Sequence, residues 1–291
     1  MNSDDLKNMN NDLTRIARAL EVMAGTPPRD ASDWDSANKQ IWDPSYKMFR
    51  PVTNAIKPPP SSLLVGVEDQ IKTLYDNTLQ FAKGFTANNA LLWGARGMGK
   101  SATVKTVHHR ISANPETPLI LLELSRSDLA DMPYILDRLS ECEDRRFILF
   151  CDDLSFEPDD STYKSLKAVL DGGIGGRPPH VLFYATSNRR HLMPKDHQHG
   201  SKQDVMRVQE NNQEQISISD RFGLWIGFHG CTQDQYLDMI DRYIDAYDLP
   251  VNQKDAHDQA LLWSKTRGSR SGRVAWQFIQ DLAGRLNIPI Y

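Results

Sequence analysis

The sequence predicts an α/β fold built on a parallel, doubly wound sheet and closed by a small helical unit. Three observations carry that expectation. Five short, near-continuously apolar runs alternate with polar helical stretches, the pattern of strands buried on both faces by helices. One run leads straight into Gly94-Ala95-Arg96-Gly97-Met98-Gly99-Lys100-Ser101, a glycine-rich phosphate-binding loop that opens a helix. Beyond Gly230 the strand signals stop and helical ones replace them.

Composition sets the outer bounds. With 291 residues and 40% hydrophobic content, the chain can bury a substantial core in one large or two smaller domains. A formal net charge of −4 supplies no overall positive field to recruit nucleic acid or an anionic membrane, so any such contact must come from a local patch. The amino end, acidic and polar from Met1 to Lys7, does not read as a secretory signal. No run of about 18 apolar residues suggests a membrane span. Cys142, Cys151 and Cys231 are odd in number and lack CxxC spacing, which argues against a disulfide framework or zinc ribbon and for a reducing cytoplasm.

Taken in order, residues 1–60 are expected to form a helix and an extended arm. Leu13, Ile16, Leu20 and Met23 recur at helical spacing within Asp12 to Ala24, and Gly25-Thr26-Pro27-Pro28 ends that helix. From Arg29 to about Ser62 the chain is polar and broken, with Trp34, Trp42, Tyr46 and Phe49 scattered through it and Pro58 to Pro60 as a stiff linker. Residues 61–229 are expected as the core. A helix over Val67 to Gly84 precedes strands at Ala90 to Trp93, Leu119 to Leu124, Phe147 to Cys151, Val181 to Ala185 and Leu224 to Phe228. Residues 230–291 read as a helical unit with helices over Tyr236 to Tyr247, Asp255 to Thr266 and Ser271 to Leu286. In a sheet of this kind ligands bind beyond the carboxyl ends of the strands, and the chemically suggestive residues fall there.

The loop Gly94 to Ser101 needs its residue types for a physical reason. Glycines let backbone N–H groups close around phosphates, and the helix amino end adds positive potential. Lys100 reaches the β/γ-phosphates and Ser101 ligates Mg²⁺. The strand Phe147 to Cys151 ends in Asp152 and Asp153. A carboxylate at Asp152 can hold Mg²⁺ opposite Ser101, and Asp153 can orient or deprotonate a water, with Glu157 as its competitor. The strand from Val181 ends in Ala185-Thr186-Ser187-Asn188, where Asn188 would present an amide to the γ-phosphate and the attacking water. Arg221 precedes the last strand and Arg273 opens the last helix. Arginine is suited to bidentate phosphate recognition.

This order of motifs resembles the AAA+ P-loop ATPases. More narrowly, NNALLWGARGMGKS, FILFCDDLSFE, YATSNRRHL and SDRFGLWIGF look like one bacterial AAA+ family described only as a domain of unknown function, a likeness running from about Leu63 to Leu286. The resemblance implies that Lys100 and Ser101 bind phosphate and Mg²⁺ and that Asp152 and Asp153 form the Walker B pair. It makes Asn188 sensor 1, Arg221 the arginine finger and Arg273 sensor 2. It further implies ATP hydrolysis, a homo-oligomeric ring or filament, and a macromolecular partner to be remodelled or loaded. Two departures qualify it. Ser125-Arg126-Ser127-Asp128 replaces the aromatic-apolar-glycine loop of protein-threading rings, and the acid pair is Asp-Asp instead of Asp-Glu, which implies slow hydrolysis.

Other features have plainer readings. His191, His197 and His199 lie in a long polar stretch, Arg189 to Ser217, which reads as a loop before it reads as a metal site. Gly172 to Gly176 ends a helix from about Thr162 to Leu170. Arg189-Arg190 could meet a nucleic-acid backbone but reads first as a solvated pair. Three functions stay open: an ATP-hydrolysing, self-assembling switch, a P-loop kinase or transferase on a small substrate, and an ATP-binding module with little turnover.

Overall fold

The computed structural model describes residues 34, 37–52, 58–156, 165–167, 170, 177–190, 192 and 221–290. The sheet has seven strands: β1 (Lys39–Asp43), β2 (Met48–Pro51), β3 (Ala90–Gly94), β4 (Leu119–Leu124), β5 (Arg146–Cys151), β6 (Val181–Ser187) and β7 (Leu224–Phe228). Their order is β2-β1-β4-β5-β6-β3-β7. All neighbours are parallel except β1 and β2, which pair antiparallel at one edge. The five expected strands are present, with β3 between the later strands β6 and β7. The count of five is corrected to seven, because part of the expected arm folds into the sheet. Trp42 and Phe49 of this hairpin are buried and stack edge to face at 4.9 Å, and Trp42 Nε1 donates to Asp131 Oδ2 at 3.1 Å.

Six helices are described over their full length: α1 (Glu68–Ala82), α2 (Lys100–Ser112), α3 (Met132–Ser140), α4 (Gln233–Ala246), α5 (Gln253–Arg267) and α6 (Gly272–Arg285); residues 165–167 and 170 are also helical. Side chains of the central strands alternate between two cores, as the two-residue period of a strand requires. Leu92, Leu121, Phe150 and Tyr184 join the cluster under α1 and α2, and Leu91, Leu122, Leu149 and Phe183 join the cluster under α3. The expected threading-loop position is a 3-10 helix (Arg126–Asp131) capped reciprocally by Ser125 and Asp128, so hydrogen bonding rigidifies it.

The last three helices form the expected helical unit. Each begins on a side chain that accepts an otherwise unbonded backbone N–H: Thr232 for α4, Asn252 for α5 and Ser271 for α6. Tyr236, Ile240, Ala275 and Phe278 are buried in the same cluster as Leu92 of β3, so this lid shares one core with the strand that carries the phosphate-binding loop. Among the described residues, no helix is long and apolar enough to cross a membrane. The expected helix over Asp12 to Ala24, the glycines Gly172 to Gly176, and His191, His197 and His199 lie outside the described residues.

Candidate functional site

The loop after β3 takes its shape from glycines in left-handed backbone. Gly94 has φ 126°, and a Cβ there would come within 2.0 Å of the Phe228 carbonyl oxygen at the end of β7. The next amide, Ala95 N, donates to that same oxygen at 2.8 Å. Gly97 and Gly99 follow at φ 73° and 87°, a region costly to residues with a Cβ. Gly99 is the N-cap of α2, which has no side-chain cap and no acid in its first turn. The helix therefore opens toward the loop with N–H groups and its positive dipole end.

Lys100 is buried and its ammonium turns back into the loop. It donates to Gly94 O at 2.9 Å, Ala95 O at 2.9 Å and Asn188 Oδ1 at 3.0 Å. Burial lowers its pKa, the charges of Asp153 and Asp152 oppose that, and the nearby charges of Arg273 and Arg96 reinforce it. Three cations thus gather around the loop, facing two carboxylates.

The carboxylates stand at the end of β5, beside the end of β6. Ser101 Oγ donates to Asp152 Oδ1 at 2.5 Å, and Thr186 Oγ1 donates to the same oxygen. Asn188 donates through Nδ2 to Asp153 Oδ1 while its Oδ1 accepts from Lys100. One amide therefore joins the loop lysine to the second acid. Behind them, burial and the Asp152 charge push the Cys151 thiol up to about 12, so it stays protonated and inert.

The lid closes the other side. Arg273 N donates to Gly97 O at 3.1 Å, and a Cβ at Gly97 would meet Ser271 Oγ at 2.8 Å. The exposed Arg273 side chain begins at the mouth of the loop. Arg270 instead donates to Gln233 Oε1 at 3.3 Å within the lid.

The geometry fits a nucleotide polyphosphate and a hard cation. Open N–H groups and three cations suit the phosphates. Ser101 uses its proton on Asp152 and so keeps its lone pairs for a cation, which takes oxygen ligands. Gly94 to Ser101, Asp152, Asp153, Asn188 and Arg273 converge here. Arg221 does not: it stands before the start of β7, whereas Gly94 pairs with Phe228 at that strand's end. Glu157 lies outside the described residues. The sequence reading gave no part to Thr186 or Ser271, whose only signal was a hydroxyl at a strand end and at a helix start.

A glycine loop between β3 and α2, acids on the next strand but one, and a helical lid on one core define the AAA+ P-loop NTPase fold. Within that class the chain belongs to the family described as a protein of unknown function, DUF815, whose model matches residues 35–286. Two RuvB variants from Thermotoga maritima share the fold. One is 16% identical, with TM-score 0.51 over 80% of this chain and 68% of that one; the other is 17% identical, with TM-score 0.52 over 81% and 69%. The Orc1 protein of Aeropyrum pernix, solved in complex with DNA, is 15% identical with TM-score 0.54 over 78% of this chain and 65% of its own. No curated protein matches the sequence.

Proposed function

We propose that this chain binds ATP with Mg²⁺, hydrolyses it, and uses the cycle as a self-assembling switch that remodels or loads a macromolecular partner. The observation that carries the reading is the hydrogen-bonded relay from Lys100 through Asn188 to Asp153, set beside the Ser101–Asp152 pair. It ties the phosphate loop to the residue that would handle the water.

In this reading the loop amides and Lys100 hold the phosphates, and Ser101 with Asp152 holds the metal, which neutralises charge developing on the phosphate oxygens. Asp153 accepts the proton of the attacking water, and Asn188 orients both. Arg273 links lid position to the nucleotide. The place of Arg221, before the start of β7 and at the opposite end from its own loop, supports action on a neighbouring copy: the four steps from Leu224 to Phe228, at about 3.3 Å each, already exceed what one side chain spans.

The test is product analysis. Wild-type protein with Mg-ATP and no acceptor should release free phosphate, and Asp153→Asn should bind ATP with unchanged affinity and release none. ATP consumption only when a small acceptor is added, with the phosphate recovered on that acceptor, would move the assignment to a kinase. Binding without turnover in the wild type would leave a nucleotide-gated binding module.

A further inference from the structure

One side chain at the site is unused by this reading. Thr186 is 1% exposed, and its hydroxyl acts twice, accepting the Asp153 N–H at 2.9 Å and donating to Asp152 Oδ1. Its carbonyl accepts the next amide, Leu154 N, at 2.7 Å. A hydroxyl has one proton and two acceptor positions, so both bonds hold together and commit the proton to Asp152. Because Ser101 donates to the same oxygen, Oδ2 of Asp152 takes no protein hydrogen bond among the described residues.

Asp153 lies at φ 52°, a left-handed conformation that aspartate tolerates better than most residues with a Cβ and that hydrogen bonds to its N–H help to fix. Its backbone N–H is held by the Thr186 hydroxyl, while Asn188 bonds its carboxylate. The β5–β6 pairing reaches only Cys151 and Ala185, so the Thr186 bonds lie beyond the ladder and act on the acids themselves. Packing alone would be met by a valine of the same shape.

We propose that Thr186 is a positioning residue: its hydroxyl sets the Asp152 carboxylate and holds the turn that aims Asp153, so that Mg²⁺ affinity and turnover both depend on it. The inference rests on the ATP-hydrolysing reading above.

Thr186→Val removes the hydroxyl and keeps the shape, and Thr186→Ser keeps the hydroxyl. Without Mg²⁺, Thr186→Val should bind ATP as the wild type does. Its half-saturating Mg²⁺ concentration should rise and its kcat fall, each by about tenfold or more, the scale of outer-sphere metal partners, while Thr186→Ser stays within about threefold of wild type. Amide exchange measured by NMR should accelerate at Asp153 and remain slow at Leu154, whose acceptor is a backbone carbonyl. Wild-type Mg²⁺ dependence and kcat in Thr186→Val, or equal impairment of the serine and valine variants, would overturn the inference. If the valine variant does not fold, Thr186→Ala reads the same quantities. If the wild type releases no phosphate, the hydrolytic reading fails, while the Mg²⁺ dependence of ATP binding and the Asp153 exchange rate still decide the role of Thr186.

Discussion

Replacing Gly97 by alanine tests whether the contact between lid and loop governs the site. The new methyl group would come to 2.8 Å from Ser271 Oγ and 3.1 Å from both Ser271 Cβ and Arg273 Cβ. At φ 73° an alanine also bears left-handed backbone strain, about 1–2 kcal/mol. Relieving the clash means moving the start of α6, which lengthens the 3.1 Å bond from Arg273 N to Gly97 O and forfeits about 1 kcal/mol. The expected loss is therefore about 2–3 kcal/mol. Gly268 is the matched control: it has φ 71° and no atom within 4 Å of a built Cβ, so Gly268→Ala carries only the backbone strain. Urea denaturation should show Gly97→Ala less stable than Gly268→Ala by about 1 kcal/mol. Calorimetric titration with Mg-ATP should show about tenfold weaker binding for Gly97→Ala alone, a difference of about 1.4 kcal/mol. Equal ATP affinity in the two variants would refute the idea that the lid closes on the loop through this contact.

Further outcomes follow from other residues. Mixing Arg221→Ala with Lys100→Ala should restore part of the turnover each lacks alone, because the first keeps a working phosphate loop and the second an intact arginine; mixtures that co-assemble by light scattering without recovery would put Arg221 in cis or in the scaffold. Arg221→Ala alone should bind ATP normally and hydrolyse it roughly 10³-fold more slowly, the scale of arginine fingers. Burial lowers the buried His108 to about 4 against the opposing bond to Leu119 O, with Lys39 and His109 adding like charge. The folded state thus prefers neutral imidazole, so this contribution to stability is complete above the unfolded pKa of about 6.5. It is lost as pH falls from there to about 4, by about 3 kcal/mol at most. Denaturation curves of His108→Gln should show a shallower decline between those pH values, and an unchanged slope would refute the assignment.

The chemistry was legible where residue type and local order coincide. Gly94 to Ser101 announces strand, loop and helix in eight residues, and the acids and Asn188 mark ends of strands that had to be neighbours. What escaped depends on distant contacts. β1 was hidden because Gln40, buried to 1% exposure, sits inside while Ile41 is 43% exposed, which inverts the alternation that signals a strand. Its burial comes from the pairing with β4, about 80 residues onward. The bounds of α3 were less legible than its presence between two strands: Pro133 occupies its first turn, where the missing N–H costs nothing. Arg221 was singled out by its place just before the last strand, and the structure sets it at the end of β7 opposite to Phe228, which pairs with Gly94 of its own loop.

The place of β3 between two later strands has a consequence during synthesis. Both of its partners, β6 and β7, come later in the chain, and the turn at Gly94 is braced by the carbonyl of Phe228. At about 5–20 residues per second, a ribosome needs on the order of ten seconds to travel from the loop to its brace. Until Val181 to Ser187 emerges, Ala90-Leu91-Leu92-Trp93 has no neighbour on either side, and until Phe228 emerges it lacks the one that braces the turn at Gly94. Nucleotide binding is therefore a late event in the life of the nascent chain, and a truncation ending before Leu224 should leave the complete loop sequence unable to bind.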